Sequence, residues 1–141
     1  MLNKDTFEYA DQKVEISELS GLQRIDYLSF IKKTADEYDA LPEEINDSDR
    51  NIAFTTMQLR INAWLVAASL WHSDKKQNFE TLQQAVLEEW SGAAIAGCSQ
   101  KVLMLSNMIP AQVESSDTDE QLLSETETET ETEKDLTPEK P

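Results

Sequence analysis

Apolar and polar residues alternate in Phe7-Glu8-Tyr9 and again in Val14-Glu15-Ile16, the period-two pattern of half-buried strands. Asp11-Gln12 between them can make the turn of a small hairpin, which is marginal alone in water and must pack on other elements. The period then changes to that of helices. Ser17 is placed to cap a first helix, with Leu19, Leu22, Ile25 and Leu28 following at three-residue spacing on one face. Phe30 and Ile31 extend that stripe, Lys32, Lys33, Asp36 and Glu37 form a polar end, and Pro42 breaks the pattern. Asp47, Ser48 or Asp49 can cap a long second helix running through Arg50 to Trp71. Its second half is apolar nearly all round, so it is expected to be the central element. Asn78 can cap a third helix with Phe79, Leu82, Val86 and Trp90 on one face. Ser91 and Gly92 interrupt it, and a fourth is expected from about Ala93 to Ile109, striped by Ile95, Cys98, Val102, Leu105 and Ile109 and stopped by Pro110. The expected fold is mainly α, a compact bundle of about four helices with a small N-terminal β-hairpin.

From Ala111 the composition changes. Residues 111–141 hold 11 acidic and 2 basic side chains, so that segment carries −9 of the chain's formal −16. Ser124 to Glu133 alternates Ser or Thr with Glu, and neither face of such a run is apolar. The predicted organisation is therefore a helical domain over 1–110 and a disordered acidic tail over 111–141. A flexible chain of that length spans roughly 30 Å root-mean-square. So acidic a surface lacks the clustered Lys and Arg that release counterions from phosphates, which argues against a nucleic-acid partner. The apolar run from Ile61 to Trp71 is far shorter than the ~20 residues that span a bilayer. Met1-Leu2-Asn3-Lys4-Asp5 lacks the basic and apolar segments of a secretory signal, so no membrane partner and a cytoplasmic location are expected.

Catalytic chemistry needs convergent titratable groups, and the sequence offers one His and one Cys with no motif around either. His72 follows the apolar end of the central helix, where a cation complements the helix dipole, and a partner contact is its alternative. Cys98 falls on an apolar face as a small buried hydrophobe. Zinc lacks ligands, Asp47/Asp49 and Glu88/Glu89 lack the calcium-loop pattern, and no Gly-rich phosphate loop occurs. The expectation is no enzyme, no metal and no cofactor. Trp64 and Trp71 are seven residues apart and share a helix face. Together with Trp90 they either pack in the core or line an exposed groove for another helix. Arg24 and Arg60 lie among apolar neighbours, and each either pairs with a carboxylate of this acidic chain or contacts another subunit. The candidate partner-binding residues are thus Arg24, Arg60, Trp64, Trp71, His72 and Trp90.

Three blocks carry a resemblance. They are Ser17-Glu18-Leu19-Ser20-Gly21-Leu22-Gln23-Arg24-Ile25, the tryptophan-containing run from Arg60 to His72, and Gln84-Ala85-Val86-Leu87-Glu88-Glu89-Trp90 with Val102 to Met108 downstream. In this order, over roughly residues 1–110, the chain resembles the tail assembly protein G family of lambda-like, long-tailed bacteriophages. The resemblance implies a tail assembly chaperone that binds and solubilises the tape measure protein, in several copies, and helps to recruit major tail protein. It also implies absence from the mature virion, action in the host cytoplasm, and a longer form made by ribosomal frameshifting that contacts tail tube subunits. Self-association is left open by the residues. The competing expectation is a small acidic regulator that sequesters a basic protein partner, binding through the tail in a salt-sensitive way.

Overall fold

The computed structural model describes residues 1–108, in the order β1 (Lys4–Tyr9), β2 (Gln12–Ser17), α1 (Gly21–Asp39), α2 (Asp47–Trp71), α3 (Phe79–Glu89) and α4 (Gly92–Leu105). The expected acidic tail over 111–141, with Ile109 and Pro110 before it, lies outside the described residues. The fold is mainly α, with four helices and a two-stranded antiparallel hairpin, as the periodicities indicate. The hairpin turn is Ala10-Asp11 rather than Asp11-Gln12, because Tyr9 pairs with Gln12. Both turn residues have positive φ, 48° and 68°, as a type I′ turn requires.

The first helix begins later than expected. Ser17 is the last residue of β2 and is buried; Ser20 is the cap, in a capping box with Gln23. Ser17 is committed elsewhere. Its N–H donates to Ser69 Oγ at 2.7 Å, and that hydroxyl donates back to the Ser17 carbonyl at 2.8 Å. α2 likewise is capped one residue before the expected set, by Asn46, with Asp47 and Asp49 in the first turn favouring the dipole. α4 ends at Leu105, four residues short of the expectation. Asn107 adopts φ 58°, the left-handed conformation that closes helices, and the Ser106 hydroxyl turns inward to accept from the Leu19 N–H at 2.9 Å. Trp90 stands just past α3 in extended conformation and so does not extend the helical face of Phe79, Leu82 and Val86.

α2 is central. It packs on α1, α3, α4 and β2, and its residues Ala63 to Ser69 are buried without a break. α1 runs antiparallel to it, since Gln23 bonds the Ala68 carbonyl, Phe30 meets Trp64 and Tyr38 meets Phe54 in register. No residue of α2 before Ala63 is buried, so beyond the core α1 and α2 continue as a two-helix arm.

The inner face of α1 carries Gln23, Tyr27, Phe30, Thr34 and Tyr38. Leu22, Ile25 and Leu28 lie roughly 100° to 160° round the helix from Tyr27. They are 69%, 62% and 60% exposed, so this part of the stripe faces outward, while Leu19 ahead of the helix is buried. α2 offers one surface to α1, and the aromatics occupy it.

Candidate functional site

Between α1 and α3, with α2 as its floor, runs a groove of about 630 Å³. Trp64 holds it together. The indole is 8% exposed and its ring lies 5.8 Å from Tyr27, 5.9 Å from Phe30 and 5.4 Å from Phe79, the last edge-on. One side chain thereby fixes the spacing of α1, α2 and α3, and the offset and edge-on geometries are those aromatic quadrupoles favour. Leu22, Phe30, Ala68, Trp71 and Phe79 supply apolar lining, while Asp26, Lys33 and Glu80 supply the charges. An apolar floor with charged edges is the surface that takes the apolar face of an amphipathic helix.

The end of the groove near Trp71 is set by hydrogen bonds. Gln23 Nε2 donates to the Ala68 carbonyl at 3.0 Å, and its Oε1 accepts from the Ser20 N–H at 3.0 Å. These two bonds fix which end of the amide is oxygen. Oε1 also lies 2.8 Å from His72 Nε2, so that nitrogen is the donor. His72 caps α2, as its position implies. Burial first, then the charges of Lys75 and Lys4, push its pKa below the usual 6.5. Trp71 is half-buried, with the His72 ring edge-on at 5.3 Å and the Lys75 ammonium 5.6 Å over its own ring.

Of the six candidate residues, Trp64 and Trp71 line the groove and His72 braces it through Gln23. Trp90 does not belong to it. It stacks on Phe7 of the hairpin at 6.3 Å, beside a smaller pocket lined also by Tyr9, Val14 and Ala94. Arg24 turns away toward Glu18 at 3.8 Å, the carboxylate pairing expected of it. Arg60 is exposed on the arm, and among the described residues no carboxylate lies within ion-pair distance of it. Cys98 is buried, and burial pushes its thiol up to about 12, so it behaves as a small hydrophobe. Among the described residues no three His, Cys, Asp or Glu side chains cluster to hold a metal, and no helix is long and apolar enough to cross a membrane.

Sequence reasoning missed Leu22, Phe30 and Phe79 as groove walls and Gln23 as its brace. One signal was available. α1 carries more apolar residues than a single neighbouring helix can cover, so some had to face outward.

The model of the family described as "Bacteriophage lambda tail assembly chaperone, TAC, protein G" matches residues 1–135. The chain is 34% identical over 116 residues to "Tail assembly protein G" of Escherichia phage lambda, covering 76% of this chain and 77% of that one. It is 29% identical over 122 residues to the protein of the same name from Escherichia phage N15, covering 80% and 81%. It also matches "Tail assembly protein GT" of phage lambda at 34% over 116 residues, where it covers 39% of the longer chain. No solved structure matches.

Proposed function

We propose, from the premise that this chain belongs to the lambda tail assembly chaperone family, protein G, that its aromatic groove holds an amphipathic helix of the tape measure protein. A role in phage tail assembly comes with the family, and a chaperone's role is non-enzymatic. What supports the finer reading is the groove between α1 and α3, floored by Trp64 and Ala68 and continued outward by Leu22. A long helical client has apolar stripes that aggregate when bare, and a groove walled by α1 and α3 covers one stripe at a time. In this reading several copies bind along one client. Trp64, Trp71 and His72 are the groove residues we assign to this contact, with Leu22, Phe30 and Phe79.

The second partner is major tail protein, reached through a longer product. The relative named GT shares the same 116-residue likeness as the relative named G, of which this chain covers 39% and 77% respectively. A common body with a further segment attached accounts for that pair of numbers. In this reading 1–110 is the client-binding domain and the acidic segment 111–141 tethers the appended part, which recruits tube subunits. Action is in the host cytoplasm, before the virion is complete. Shortening the segment from 111 to 141 in the long form is expected to lower tail yield without weakening tape measure binding; an unchanged yield removes the tether role.

Co-expression with the phage's own tape measure protein tests the main claim. Full-length chain is expected to keep the client soluble in several copies and to co-purify in high salt, since apolar contacts are not screened. Leu22→Glu, placed on an exposed site and so harmless to the fold, is expected to leave the client insoluble. If the complex forms only in low salt and ignores Leu22→Glu, the acidic regulator that sequesters a basic protein becomes the better account.

A further inference from the structure

The arm carries a feature that the groove does not use. Over the fifteen residues from Ala35 to Asp49 there are seven carboxylates and no Lys or Arg. The stem beneath this tip, residues 22–34 and 54–72, holds Arg24, Lys32, Lys33 and Arg60 against the single carboxylate of Asp26, while Arg50 sits at the tip, donating to the Pro42 carbonyl and lying 5.7 Å over the Tyr38 ring. The two-helix hairpin is therefore polarised along its length, acidic at the tip and basic at the stem.

One flank of the arm is a shallow groove between α1 and α2, lined by Thr34, Glu37, Tyr38, Ala53, Met57 and Arg60 among others. It places both signs of charge on one surface. Glu37 stands toward the tip and Arg60 toward the stem, both exposed, with Tyr38 and Met57 between them. Phe54, 46% exposed, packs edge-on against Tyr38 at 5.8 Å. Arg60 has no carboxylate within ion-pair distance among the described residues, although Glu37 borders the same groove.

From this arrangement we infer that the arm flank is an interface with a second copy of this chain, paired antiparallel about a two-fold axis beside Met57 and Thr34. A two-fold interface brings residue i onto j and j onto i. Arg60 of each copy then meets Glu37 of the other, acidic tip lies over basic stem twice, and Tyr38, Phe54 and Met57 close the centre. A different partner must bring the reverse order of charge along its length; this chain already carries it. Parallel pairing sets tip on tip, where the carboxylates repel. The pairing is independent of the tape measure reading, because Glu37, Tyr38, Met57 and Arg60, which carry it, do not line the groove between α1 and α3.

Sedimentation of the full-length chain at rising concentration reads the interface directly. Wild type is expected to form dimers that weaken as salt rises. Arg60→Glu and Glu37→Arg are each expected to raise the dissociation constant by about tenfold or more, since each sets like charges together twice. Mixing the two variants restores both complementary pairs, so the mixture is expected to recover the wild-type dimer. Helical circular dichroism equal to wild type shows that neither variant unfolds. A wild type monomeric across the range, dimers indifferent to both reversals, or a mixture that does not recover each overturns the inference. Retention of the tape measure protein by Arg60→Glu separates this result from the chaperone reading.

Discussion

Ser69→Ala isolates the contact that docks the hairpin on the helices. Ser69 is 0% and Ser17 2% exposed, and the Ser69 hydroxyl serves both the N–H and the carbonyl of Ser17. Alanine removes the hydroxyl and leaves a buried backbone donor without its acceptor, at about 1–3 kcal/mol, with a smaller loss at the carbonyl. Ala is the better residue inside a helix by about 0.5 kcal/mol, which offsets a fraction of this. The net expectation is roughly 2 kcal/mol of destabilisation. For a unit the size of Met1–Ser106, that lowers Tm by roughly 8 °C or somewhat more. Urea unfolding followed by tryptophan fluorescence measures the free energy, with Ser29→Ala, exposed on α1, as control. Hydrogen exchange at the Ser17 amide should accelerate more than at amides of α3, because the break is local to the hairpin junction. A Ser69→Ala midpoint equal to that of Ser29→Ala, or an unchanged Ser17 amide, refutes the argument.

Ala10 sits at φ 48° in the hairpin turn, where an L side chain other than Asn or Asp is strained. Ala10→Asn is therefore expected to stabilise by about 1 kcal/mol, seen as a higher urea midpoint. His72 has a folded pKa below 6.5, so the folded state binds fewer protons than the unfolded state over that interval. Its contribution is complete above pH 6.5 and lost as pH falls through the folded pKa; His72→Gln should flatten that part of the stability–pH curve. The Cys98 thiol, raised to about 12, should resist a thiol reagent at pH 8 in the folded protein and react at once in urea.

The elements were legible because their periods are strong. Phe7/Tyr9 and Val14/Ile16 show the strand alternation, and Ala63 to Ser69 is buried all round, as an uninterrupted apolar stretch requires. Boundaries were less legible where one residue type has two uses. Ser17 and Ser20 are both good caps by composition, and only the distant Ser69 decides that Ser17 ends a strand. Asn107 and Pro110 both stop helices, and the nearer one wins. The candidate site was read in part. Spacing puts Trp64 and Trp71 on one face of α2, and both line the groove, whereas Trp90 stands off the helical face expected for it because the chain leaves α3 at that residue. The outward stripe of Leu22, Ile25 and Leu28 defeats periodicity altogether. A three-residue repeat states that residues share a face, and nothing in it says which face the core takes.

In the proposed function the groove between α1 and α3 grips a helix of the client. A photo-reactive phenylalanine analogue at Trp71, in full-length chain co-expressed with the tape measure protein, tests it most directly. Crosslinks are expected at the apolar stripes of client helices, at i, i+3 or i+4 and i+7 spacing, and few from the same probe at exposed Met104 on α4. Equal crosslinking from both positions, or none from Trp71 in a complex that still co-purifies, contradicts it.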